Sequence, residues 1–76
     1  MSTAYAFYRV TLTRADGTDA VEYRKRRKAT TAKGMSRQHD GVVNSVIEEL
    51  RYYQIEGWQR LVVARVPAEE VTPYAR

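Results

Sequence analysis

From residue 4 to 13 the side chains alternate, with Ala6, Tyr8, Val10 and Leu12 on one parity and Tyr5, Phe7, Arg9, Thr11 and Thr13 on the other. That period of two predicts a strand with one covered face. Arg14-Ala15-Asp16-Gly17-Thr18 follows, and an Asp-Gly pair suits a two-residue hairpin turn, so a second strand is expected from about Asp19. With Asp16 and Gly17 at the centre of the turn, Leu12 faces Val21 and Val10 faces Tyr23 on the covered side. The opposite side then pairs Thr11 with Glu22, Arg9 with Arg24 and Phe7 with Arg26. Residues 29 to 39 contain no bulky apolar side chain except Met35 and are expected to form a loop. From Asp40 the period changes to that of a helix whose inner face carries Val43, Val46, Ile47, Leu50, Tyr53 and Gln54, and whose outer face carries Glu48, Glu49, Arg51, Tyr52 and Glu56. Asp40 or Ser36 is a candidate cap, and Gly57 suits a left-handed helix end. A third strand is expected from Trp58 to Val66, stopped by Pro67, with a partly ordered acidic tail from 68 to 76.

These elements predict a single α+β domain spanning residues 1 to 76, with the order ββαβ. Its three-stranded antiparallel sheet has strand order 2-1-3, one helix lies on one face and the other face stays open. Seventy-six residues build one small core, and with no cysteine it rests on packing alone. No window approaches the ~20 apolar residues of a membrane span, and Met1 to Tyr5 does not resemble a leader, so a soluble cytoplasmic protein is expected.

Charge changes the picture more than composition does. Residues 24 to 41 hold 7 of the 13 basic residues and one acid, Asp40, which makes a +6 segment on a −2 body. Such a patch concentrates polyanions or acidic protein surfaces through its field. The candidate contact residues are Tyr5, Phe7 and Arg9 on the open sheet face with Arg24, Lys25, Arg26, Arg27, Lys28, Lys33 and Arg37 of the basic segment. Arg and Lys suit phosphates or carboxylates, while Tyr5 and Phe7 suit stacking on bases or burial under a second copy or another protein. The plainer alternative is a solvated strand end that keeps the edge from stray pairing.

Catalysis finds little material. The single His39, beside the expected helix start, reads as a solvated polar residue, and no cysteine is available as a nucleophile. Adjacent Glu48 and Glu49 diverge around a helix, which is poor geometry for a shared acid and base role. One His with scattered carboxylates offers no ligand pair for a metal, and Lys33-Gly34-Met35-Ser36 reverses the order of a phosphate loop, so neither metal nor cofactor is expected.

The stretch Val46-Ile47-Glu48-Glu49-Leu50 through Glu56-Gly57-Trp58, followed by Leu61 to Pro67, resembles the helix, Glu-Gly-Trp and strand arrangement of short prokaryotic and phage proteins of unassigned function. In architecture the chain is also similar to small phage host-takeover proteins, among them an RNA polymerase inhibitor and some anti-CRISPR proteins. That resemblance implies a non-catalytic inhibitor that occupies a surface of a larger protein or ribonucleoprotein complex. Direct nucleic-acid binding through the same residues is the second expectation.

Overall fold

In a computed structural model the protein is described from residue 4 to residue 71. Five elements follow in order: β1 (Tyr5–Thr13), β2 (Asp19–Arg27), α1 (Ala32–Tyr52), β3 (Arg60–Val66) and α2 (Ala68–Val71). The sheet is antiparallel with order β2-β1-β3, as the alternation predicts. Ala6, Tyr8 and Val10 of β1 are buried with Val42, Val46 and Leu50 of α1, and Leu12, Trp58, Leu61 and Val63 pack against that cluster.

The hairpin differs from expectation by one residue, and that residue matters. Gly17 N–H donates to Arg14 C=O (3.0 Å) and Arg14 N–H to Thr18 C=O (2.8 Å), so the loop has three residues, Ala15 to Gly17. Gly17, at φ +88°, supplies the left-handed step that closes such a loop, while the Asp16 carboxylate accepts from the Thr18 N–H and hydroxyl. The register becomes Leu12 to Ala20, Val10 to Glu22, Tyr8 to Arg24 and Ala6 to Arg26. A one-residue slip exchanges the faces of a strand. Arg24 and Arg26 therefore lie on the helix side, and Val21, Tyr23, Lys25 and Arg27 on the other.

The helix starts eight residues earlier than the apolar pattern indicates, so residues 32 to 39 are helical and no long basic loop exists. Thr31, rather than Asp40 or Ser36, caps α1, its hydroxyl accepting from Gly34 N–H at 2.9 Å. A side chain on Gly34 would put its Cβ 3.0 Å from that oxygen. Ala32, Lys33, Met35, Arg37 and Gln38 are good helix formers, and the first turns pack through polar groups, which an apolar period does not reveal. Tyr8 Oη donates to Gln38 Oε1 (2.9 Å), the Gln38 amide donates to Arg27 C=O, and a His39 ring nitrogen lies 2.7 Å from Val63 C=O. His39 is thus a half-buried tie between α1 and β3 instead of a solvated residue. The buried helix stripe runs through Val42, Val46 and Leu50, with Val43 and Ile47 half-buried and Tyr53 exposed.

The end of α1 also departs from expectation. Gln54 N–H donates to Arg51 C=O and Ile55 N–H to Leu50 C=O (2.8 Å), a Schellman arrangement that puts Gln54, not Gly57, at the left-handed position with φ +56°. Gly57 (φ +78°) serves the connection to β3, which begins at Arg60 instead of Trp58. A left-handed Gln carries a Cβ clash that Gly lacks. Gln54→Gly should raise stability by about 0.5 to 1 kcal/mol in a urea titration; an unchanged or lower midpoint would show that the Gln54 side chain contributes more than its backbone costs.

The sheet's second face is covered in part. After Pro67 the chain turns into α2, where Val71 is buried and Glu70 Oε2 accepts from Arg9 (2.9 Å) and from the Tyr23 hydroxyl (3.2 Å). Of the acidic tail, 68 to 71 form this turn, and 72 to 76 lie outside the described residues.

Candidate binding surface

The candidate residues divide into three groups. Arg9 and Arg24 are engaged within the chain. Arg9 pairs with Glu70 across the second face. Arg24 reaches under the rim of α1, where Nη1 lies 2.8 Å from Glu49 Oε1, Nη2 contacts Glu49 Oε2 and Nε lies 3.0 Å from Glu22 Oε1. Its side chain is only 19% exposed. Hydrogen bonds donated by Arg24 hold the Glu49 carboxyl below its ordinary value, against some desolvation, and the same bonds raise Arg24 above its own. Neither Arg9 facing Arg24 nor Phe7 facing Arg26 occurs: Arg9 faces Tyr23 and Phe7 faces Lys25. The expected opposition of Arg9 and Arg24 is overturned, and Glu49, expected on the outer face of the helix, is bound by Arg24.

Arg26 forms the second group. It lies half-buried on the helix side, with Nη1 donating to Lys25 C=O (2.9 Å) and its charge close enough to Glu49 to stabilise the carboxylate.

The remaining residues gather at one end of the molecule. Tyr5 faces Arg27 at the end of the hairpin, and Lys25 Nζ sits 4.6 Å from the Tyr5 ring centroid, a cation over an aromatic face. Phe7 lies half-buried between Lys25 and Val66. Lys28 follows directly, its N–H donating to Ala4 C=O (2.9 Å). The tie from Gln38 to Arg27 brings the first turns of α1, with exposed Lys33 and Arg37, to the same end. Among the described residues Lys25, Arg27, Lys28, Lys33 and Arg37 form no ion pair. The first turn of α1 contains no acid to offset its helix dipole and instead carries Lys33. Glu69 stands at the rim, lining a shallow depression with Tyr5, Lys28 and Arg65.

Arg65 is the residue sequence reasoning missed. It lies opposite Tyr8 at the end of β3, exposed, and its guanidinium contacts the Met35 sulfur at the start of α1. Its position outside the basic run hides it, and only the sheet order carries it to this end.

The groups with displaced protonation equilibria all have structural partners: Asp16 is lowered by the Thr18 hydroxyl and N–H, while Glu49 and Arg24 displace each other. No helix of the described residues is long and apolar enough to cross a membrane. Compared with protein families, with curated proteins and with solved structures, the chain matches none.

Proposed function

We propose that this protein is a small non-catalytic binding protein, of the surface-occupying inhibitor kind found in phages and mobile elements, that docks its basic end on an anionic surface of a larger protein or ribonucleoprotein complex. The supporting observation is the gathering of Lys25, Arg27, Lys28, Lys33 and Arg37 from two elements on one end, exposed and without carboxylate partners among the described residues. Crowded like charges cost stability, and an anionic partner relieves that cost as it binds. Internal pairing of Arg9 and Arg24 moves the contact surface away from the middle of the sheet toward this end.

A second reading, direct nucleic-acid binding, draws on Tyr5. It is 44% exposed beside Lys25, so a base can stack where a phosphate can also be neutralised. Pull-down from lysate with and without nuclease separates the two readings. The triple variant Lys28→Ser, Lys33→Ser and Arg37→Ser should lose the partner in either case while its thermal melt stays within a few degrees of the parent. Retention of the partner by that variant would remove the basic end from the interface. If nuclease releases the partner, labelled DNA and RNA should show a log-log salt slope of roughly 0.9 per phosphate contact on duplex DNA.

A further inference from the structure

Strand β3 ends at Val66, so the β1–β3 ladder stops at the pair Phe7 and Val66 while Tyr5 and Ala6 run on beside β2. Pro67 has no backbone donor to continue the ladder and redirects the chain into α2. The end of the ladder leaves a shallow depression of about 400 Å³ between the start of β1, the end of β3 and α2. We propose that this depression is a single-nucleotide subsite for single-stranded nucleic acid, in which Tyr5 stacks on the base, Lys28 and Arg65 hold a phosphate and Glu69 accepts from the N–H groups of the base. The subsite rests on the nucleic-acid reading of the basic end and gives it a preference for unpaired bases.

Four separate segments supply the lining. Tyr5 opens β1, Arg65 lies next to the end of β3, Glu69 belongs to α2, and Lys28 follows β2, its N–H tied to the Ala4 C=O (2.9 Å). All four residues are exposed. Among the described residues Lys28, Arg65 and Glu69 form no ion pair, although opposite charges line one hollow. Arg65 contacts the Met35 thioether, a weak acceptor that leaves the guanidinium charge unmatched. Lys25 of β2 stands over the Tyr5 ring without lining the depression, so its ammonium does not fill the space a base would take. A ligand that uses all four groups carries an anion, a flat ring and N–H donors on one small unit. A nucleotide has these parts: a phosphate for the two cations, a π face for the tyrosine and, on guanine, adjacent N–H donors for a carboxylate, which only accepts.

The shape of the depression selects a strand over a free nucleotide and a single strand over a duplex. Sites for small molecules cover most of the ligand surface, whereas this one is shallow and open, which suits one unit of a longer chain. In a duplex each base lies between its neighbours, and placing one on Tyr5 costs its unpairing and unstacking. An unpaired base stacks without that cost. Glu69 points the same way. A hollow that bound phosphate alone would be weakened by a carboxylate, while one that also reads a base gains an acceptor from it. Arg27, Lys33 and Arg37 lie outside the depression at the same end, where they serve the flanking phosphates.

Fluorescence anisotropy of the full chain with short labelled probes tests this. The probes are a guanine-containing single strand, a single strand of thymine or uracil alone, and the guanine strand in a blunt duplex, each as DNA and as RNA. The parent should bind the guanine strand about tenfold more tightly than either of the others. Tyr5→Leu keeps an apolar side chain but offers no ring face, and should lower single-strand affinity by about tenfold while duplex affinity holds; Tyr5→Phe should bind as the parent does. Glu69→Ala should erase the preference for guanine. Lys28→Ser and Arg65→Ser should each reduce the log-log salt slope on the single strand by roughly 0.7. The double variant Lys33→Ser and Arg37→Ser, outside the depression, should instead weaken single strand and duplex alike. Circular-dichroism melts establish that each variant is folded. If the parent binds single strand and duplex equally and the double variant weakens both, the basic end binds nucleic acid but the subsite is overturned. A parent that binds none of the probes overturns the nucleic-acid reading and the subsite together. A folded Tyr5→Leu with undiminished single-strand affinity, or a guanine preference that survives Glu69→Ala, also overturns the subsite.

Discussion

Tyr8→Ala is expected to leave the domain barely folded at room temperature. Tyr8 is 1% exposed, sits at the centre of the only buried cluster among the described residues, and donates to Gln38 at 2.9 Å. Removing a buried aromatic ring costs about 3 to 5 kcal/mol through lost transfer energy and the cavity left behind. A domain of this length is stable by roughly 4 to 11 kcal/mol, with small domains at the lower end. Tyr8→Phe separates the two contributions of the side chain. It keeps the ring, removes the donor to Gln38 and should cost only about 1 kcal/mol. Urea titrations of both variants measure the difference, and a loss below about 1 kcal/mol for Tyr8→Ala would take Tyr8 out of the core.

The second large effect concerns Arg24. The hairpin turns it under α1, so Arg24→Ala should destabilise by about 1 to 2 kcal/mol, mainly through the packing of its covered aliphatic stem, with a smaller part from ion pairs whose carboxylates stay exposed. The opposite result, a neutral or stabilising change, would follow if Arg24 lay on the other face beside Arg9. The effect has a pH signature. The Glu49 carboxyl, ordinarily near 4.5, is lowered in the folded state, chiefly by hydrogen bonds from Arg24. Above 4.5 its contribution to stability is fully present, and it is lost as pH falls through the lower folded value. Asp16, lowered by Thr18, adds a loss of the same sign on acidification. Below about pH 4.5 the parent should therefore lose stability more steeply than Glu49→Gln, and the two curves should converge at the acid end. Parallel curves would show that Arg24 gains nothing from the charge on Glu49.

Sequence patterning alone determined the types of the three strands and of the long helix, the strand order and the residues of β1 that face the helix. The reason is local: Ala6, Tyr8, Val10 and Leu12 alternate over nine residues, and a 3.6 period around Val46 and Leu50 needs no tertiary knowledge to be seen. The concentration of positive charge was equally legible, because counting residues requires no register. Tertiary structure decided the rest. An Asp-Gly pair fits both a two-residue and a three-residue loop, and only the Thr18 and Arg14 hydrogen bonds choose between them. On that choice depends the face of every β2 side chain. Polar ties from Gln38 and His39 make helix out of residues without an apolar period, which is why the expected basic loop is instead two ordered elements meeting at one end. Glu70 reaches Arg9 from 61 positions away, and Glu49 reaches Arg24 from 25, so which cations are spent inside the fold depends on contacts that no local window contains. Charge along a chain can be counted from its residues, but a charge becomes available to a partner only after the fold has paired the others.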